Sequence, residues 1–149
     1  MTTPGFDEFD ELMARELILD HSRHPRHQKT IERPSATAEG QNPLCGDEIT
    51  VDLRLTDDQR IEAVRFRGQG CAISQAAMSM LSEEIEGKPA SEVAALGRED
   101  VVELLGIQLS PVRLKCALLG LGVVKVALNS SVGTPLPEGF EGLDEVTWI

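Results

Sequence analysis

Three cysteines and one aspartate offer the most chemistry in this sequence of 149 residues. Cys45-Gly46-Asp47 falls in a loop ahead of an alternating strand pattern, with Pro43 stiffening the approach and Gly46 permitting a tight bend. A thiolate and a carboxylate two residues apart in such a bend can face one ion. Cys71 follows Gly68-Gln69-Gly70 and opens a helical pattern, where free backbone N–H groups and the helix dipole favour a thiolate. Cys116 falls in the second turn of a later helix, with Arg113 and Lys115 adding positive charge beside it. Three thiols and one carboxylate make four ligands, the number zinc takes in a tetrahedral site.

Cysteine is also among the most frequently buried residues and often packs as a small apolar side chain. Cys116, in an apolar helix, suits that role. Cys45 and Cys71 do not, since both sit beside glycines at element ends, where function concentrates and core packing does not. Twenty-six residues separate Cys45 from Cys71 and 45 separate Cys71 from Cys116, which matches no short zinc-finger spacing. Taken alone, the residues leave a metal site, a reactive thiol and packed cysteine all open.

The elements that must position these groups follow from periodicity. Phe6, Phe9, Leu12, Met13, Leu17 and Ile18 recur at threes and fours and predict an amphipathic helix from Phe6 to about Asp20, limited by Pro25. Residues 25–43, with three prolines, read as an ordered loop or a short edge strand. Ile49, Val51, Leu53 and Leu55 alternate with Glu48, Thr50, Asp52 and Arg54, a strand with its polar face towards water. Thr56-Asp57-Asp58-Gln59 turns into a second strand at about Arg60 to Phe66, giving an antiparallel hairpin. Ile73, Ala76, Ala77, Met80, Leu81 and Ile85 mark the clearest helix, ended by Gly87 and Pro89. Short helices are expected at about Ala90 to Leu96 and Glu99 to Leu105. Ser110-Pro111 then opens a helix reaching about Leu128, apolar nearly all round and so central to the core. Together these make an α+β fold, a small antiparallel sheet packed against several helices. It is expected as one domain over 1–129 with an acidic, mobile tail over 130–149.

Composition narrows the function. The net charge of −11, from 25 acidic and 14 basic residues, repels phosphate backbones, and four Phe, one Trp and no Tyr leave little for base stacking. Nucleic acid is excluded as a partner. No stretch approaches the roughly 18 apolar residues of a membrane span, so no membrane partner is expected. An odd cysteine count suits thiols or metal ligands in a reducing, cytoplasmic setting. His21, His24 and His27 could suggest a second metal site, but Pro25 breaks their alignment, and histidine near a helix C-terminus compensates the dipole.

Three segments carry a resemblance: Asn42-Pro43-Leu44-Cys45-Gly46-Asp47, Gly68-Gln69-Gly70-Cys71-Ala72-Ile73-Ser74 and Pro111-Val112-Arg113-Leu114-Lys115-Cys116. In order and content they resemble the three cysteine motifs of the U-type iron–sulfur assembly proteins, the SufU/IscU and NifU N-terminal-like family. Asp20-His21 and Pro25-Arg26 add to the likeness, which spans about Phe6 to Leu128. It implies a site made by Cys45, Asp47, Cys71 and Cys116, with a cysteine desulfurase as donor of persulfide sulfur and downstream cluster-assembly or acceptor proteins as recipients. Lys115 before the third cysteine is similar to SufU-like proteins, whereas IscU-like scaffolds carry a histidine there. The 45-residue separation is nearer the IscU spacing, and Leu109-Ser110-Pro111-Val112-Arg113 looks like a degraded form of the IscU chaperone-binding segment. A ligand change alters chemistry directly, so the resemblance favours the SufU branch. It implies zinc as cofactor and Cys45 as the sulfur-accepting, catalytic thiol. The alternatives are a scaffold holding iron or a transient [2Fe–2S] cluster on the same four residues, and a structural zinc module that only mediates protein contacts.

Overall fold

The computed structural model describes residues 8–42 and 46–134. Eight elements follow in chain order: α1 (Glu8–Arg23), β1 (Ala36–Asn42), β2 (Asp47–Leu55), β3 (Ile61–Gln69), α2 (Ala72–Ile85), α3 (Ala90–Ala94), α4 (Arg98–Leu105) and α5 (Pro111–Val132). The three strands form one antiparallel sheet in the order β1-β2-β3. This is the α+β arrangement expected. Helix α5 lies across β1 and β2, α2 packs beside it against β3, and α1 covers α2. Phe66, Ile49, Leu53, Met78, Leu118 and Leu121 are fully buried between these layers.

Of the two readings of residues 25–43, the edge strand holds for Ala36–Asn42. Its inward residues, Ala36, Ala38, Gly40 and Asn42, are small, which lets α5 approach the sheet closely. Asn42 pairs with Asp47 across the hairpin, so residues 43–46 connect β1 to β2. Gly46 takes a φ of +69°, as a tight bend requires. Cys45, with Pro43 and Leu44, lies outside the described residues.

The polar face expected on β2 is not wholly in water. Asp52 is buried, accepting from the Ile31 amide at 3.0 Å, Thr37 Oγ1 at 2.9 Å and Arg67 Nη1 at 2.9 Å. Burial pushes its carboxyl pKa up, but these donors outweigh burial and hold it below the ordinary value. They tie the segment before β1 to the sheet.

The inward face of α1 also differs from expectation. Ile18 and His21 are buried and Ala14 half-buried, at i, i+4 and i+7, while Leu12, Met13 and Leu17 are exposed. Phe6 lies outside the described residues. The reason is on α2, which is buried on its polar side as well: Ser74, Ser79 and Ser82 face inward. His21 Nδ1 lies 2.7 Å from Ser79 Oγ, and the Arg26 amide donates to that same oxygen at 2.8 Å. His27 Nδ1 lies 3.1 Å from Ser82 Oγ. Two of the three histidines therefore fasten α1 and its following loop to α2. Helix α5 ends at Val132, four residues past the expected Leu128, with Gly133 at a φ of +74° as its cap. Residues 135–149 of the acidic segment lie outside the described residues. Among the described residues, no helix is long and apolar enough to cross a membrane.

The His21 contact makes a pH prediction. His21 Nδ1 and Ser79 Oγ share a hydrogen bond at 2.7 Å, and Nε2 lies 3.6 Å from Glu83. Burial first, then Arg26, lowers the His21 pKa below 6.5, against the opposing pull of Glu83 and Asp20. With the folded pKa depressed, the unfolded chain binds more protons below pH 6.5. Stability from this residue is present above that pH and is lost as pH falls towards the folded pKa. The loss is at most about 1.4 kcal/mol per pH unit. Urea unfolding at pH 7.5 and 5.5 should show a larger decline for the native chain than for His21→Gln; equal declines would refute this assignment.

Candidate metal and thiol site

At one end of the sheet, three elements bring their chemistry together. Asp47 is the first residue of β2, Cys71 is the N-cap of α2, and Cys116 lies in the second turn of α5. One carboxylate oxygen of Asp47 and the sulfurs of Cys71 and Cys116 all lie within 4.8 Å of one another. A tetrahedral centre with metal–sulfur bonds of about 2.3 Å places its sulfurs about 3.8 Å apart, so an ion would need to draw these atoms together by at most about an ångström. Asp47 and Cys116 are buried and Cys71 is half-buried.

Each group is set by local sequence. Ser110 caps α5, accepting the Arg113 amide at 3.3 Å, and Pro111 occupies the first turn; this fixes where the second turn begins and thus where Cys116 points. Asn42 Nδ2 lies 3.9 Å from Cys116 Sγ, so the end of β1 also borders the site. Asp47 Oδ1 accepts from the Cys71 amide at 2.8 Å and from Ser74 Oγ at 3.2 Å. These bonds lock the carboxylate against the start of α2. Arg113 is exposed and faces both thiols; first Cys71 and then Cys116 raise its pKa through charge attraction and hydrogen bonding.

The metal test rests on Asp47. Its Oδ2 is buried and has no hydrogen-bond partner among the described residues, a costly condition for a carboxylate oxygen. It belongs to the group that converges with two sulfurs. Two thiolates and a carboxylate suit a borderline-soft ion such as zinc. A metal ion fits this site, and neither His21 nor His27 contributes to it.

Gly70 is the residue that lets the carboxylate sit so close. A Cβ there would collide with Asp47 Oδ1 and Ser74 Oγ. Gly70→Ala should therefore fold, since the collisions are with side chains, yet lose at least about tenfold in zinc affinity by displacing Asp47. Isothermal titration with zinc is the check; native affinity would show that Asp47 need not be where the structure puts it.

The sequence points to Cys45, Asp47, Cys71 and Cys116 as one site; the structure brings Asp47, Cys71 and Cys116 to one place, and Cys45 lies outside the described residues. The sequence did not single out Ser74, Gly70 or Asn42. The available signal was positional: a serine three residues beyond an N-cap cysteine returns to the same helix end, and glycine directly before that cap marks close backbone approach.

Residues 13–134 match the family model of the NifU-like N terminal domain. The chain belongs to this family. The NifU-like domain is 32% identical over 126 residues to the zinc-dependent sulfurtransferase SufU of Bacillus subtilis, covering 73% of this chain and 84% of that protein. It is 35% identical over 115 residues to the iron–sulfur cluster assembly scaffold protein IscU of Aquifex aeolicus, covering 76% and 73% respectively. A bifunctional protein NifU/MnmA of Rubrobacter xylanophilus is 36% identical over 112 residues, 75% of this chain but 23% of that longer protein. Among solved structures, one described as a cluster-assembly scaffold for the SUF system of Fervidobacterium islandicum superposes with a TM-score of 0.63 at 30% identity. That match covers 76% of this chain and 94% of that one. The fold of this NifU-like domain is thus the fold of its relatives.

Proposed function

We propose that this chain is a zinc-bound sulfur acceptor in iron–sulfur cluster assembly, taking persulfide sulfur from a cysteine desulfurase onto Cys45 and passing it to downstream assembly or acceptor proteins in the cytoplasm. The observation that carries the reading is the convergence of the Asp47 carboxylate with the Cys71 and Cys116 thiols, one of its oxygens, Oδ2, being buried with no hydrogen-bond partner among the described residues. Three ligands leave one position of a tetrahedral ion open. Cys45 is two residues from Asp47 along the chain, so covalent geometry keeps their Cα atoms within about 7 Å. Cys45 is the fourth ligand in this reading. Zinc, when bound, would hold the thiols ionised.

In the transfer, the Cys45 thiolate attacks the terminal sulfur of the desulfurase persulfide. A new sulfur–sulfur bond forms at Cys45, the donor's sulfur–sulfur bond breaks, and the donor cysteine leaves as a thiolate. No net oxidant is consumed. Arg113, exposed and facing Cys71 and Cys116, supplies positive charge where thiolates and persulfide accumulate.

A second reading has its own support: the IscU relatives and the 45-residue separation between the second and third cysteines favour a scaffold on which iron and sulfide, as cargo, are assembled into a [2Fe–2S] cluster. A structural zinc module is disfavoured, because a chain of this size buries enough apolar surface, Phe66, Leu53, Met78 and Leu121 included, to fold without a metal staple. Metal and acid-labile sulfide content after purification without oxygen separates the readings. About one zinc and no sulfide per chain supports the sulfur acceptor; about two irons and two sulfides overturns it in favour of the scaffold.

A further inference from the structure

We propose that Ser74 is the positioning residue that makes Asp47 a one-oxygen ligand and sets how readily it releases the metal; the inference rests on the metal-site reading above. The two oxygens of Asp47 are not equivalent. Oδ1 is engaged by the Cys71 amide at 2.8 Å and Ser74 Oγ at 3.2 Å, and it lies against Gly70, where even a methyl group would collide. Oδ2 is buried and free of hydrogen bonds among the described residues. Chelation through both oxygens would require Oδ1 to leave two donors, so Oδ2 alone is presented.

Ser74 itself has two places for its single proton. Its Oγ is 3.2 Å from Asp47 Oδ1 and 3.0 Å from the Cys71 carbonyl. When the hydroxyl points to Asp47, Oδ1 is held by two donors and Oδ2 is the oxygen left for an ion. When it points to Cys71 O, Oδ1 keeps only the Cys71 amide and the carboxylate can turn. The serine is buried, so water does not take over the lost bond. A rotation of one hydroxyl thereby couples the helix N-terminus to the hold on the metal, without any change in the thiolates. Groups in this outer position tune metal affinity by roughly 10–100-fold in other proteins.

The test uses cobalt and zinc with the full chain. Ser74→Ala should weaken metal binding about tenfold and speed zinc release to a chelator, with the cobalt absorption bands shifting as the carboxylate turns. Ser74→Thr, which keeps the hydroxyl, should restore release towards the native rate. In an Asp47→Asn background, Ser74→Ala should cause no further loss of affinity, because its effect runs through Oδ2. A native release rate in Ser74→Ala would overturn the inference while leaving the metal site standing. An equal loss in the Asp47→Asn background would also overturn it, showing a packing effect instead. Failure of the native chain to bind either metal would remove the metal-site reading and this inference with it. Circular dichroism of each variant shows whether it is folded, and Ser74→Thr keeps the comparison if Ser74→Ala is not.

Discussion

Cys45→Ser is expected to remove all stimulation of a cysteine desulfurase while leaving the fold intact. A serine hydroxyl is not ionised near neutral pH and does not attack a persulfide, so the acceptor step stops. The fold should survive because Cys45 belongs to the four residues between Asn42 and Asp47, whose strands are held in register by their own pairing from Ala36↔Leu53 to Asn42↔Asp47. Cys71 caps one helix and Cys116 lies within another, whereas Cys45 belongs to a connection between strands, where functional groups concentrate. Mass spectrometry after incubation with desulfurase and cysteine should find one added sulfur on Cys45 of the native chain. Persulfide on Cys71 or Cys116 alone, or full stimulation by the variant, would assign the acceptor elsewhere and favour the scaffold reading.

The parts of the fold legible in the sequence are those where one physical signal dominates. The alternation from Ile49 to Leu55 and the Ser110-Pro111 opening both correspond to the elements found. Strand β1 was ambiguous because Ala36-Thr37-Ala38-Glu39-Gly40-Gln41-Asn42 has almost no β-branched residue; close packing beneath α5, not local propensity, makes it a strand. The inward face of α1 was misread for a related reason. Apolar count pointed to Leu12, Met13 and Leu17, but α2 offers a seam of serines, and a histidine satisfies that seam where leucine cannot.

The site was legible as a set of ligands and not as a set of supports. Cysteine and aspartate announce themselves by type, and glycine neighbours distinguish Cys71 from a packed thiol. What holds Asp47 is two hydrogen bonds from residues 24 and 27 positions away, which no local pattern encodes. Oxygen against sulfur alone makes aspartate the loosest ligand on a soft ion. The structure adds that its other oxygen is pinned, so any looseness is governed from outside the metal.

Asp47→Asn tests that pinning most directly, because it separates the hydrogen-bonding oxygen from the ligating one. The Cys71 amide and Ser74 hydroxyl both donate to Oδ1, so in the variant they select the amide's carbonyl oxygen for that position. The NH2 group then takes the place of Oδ2. An amide nitrogen has no lone pair for a metal, and the site loses a ligand without losing volume. Zinc affinity should fall by about 100-fold, which removes about 2.7 kcal/mol of zinc-linked stabilisation at saturating metal. The metal-free protein should change in the opposite direction. A buried carboxylate oxygen with no partner among the described residues gives way to a neutral group whose desolvation costs less, so the metal-free variant should be more stable than the native chain, by on the order of 1 kcal/mol. Thermal melts with chelator and with zinc would show the two effects together: a raised melting temperature without metal and a shrunken increase on adding it. A native-sized zinc shift would mean that Asp47 is no ligand, and a lowered metal-free melting temperature would mean that Oδ2 has a partner after all.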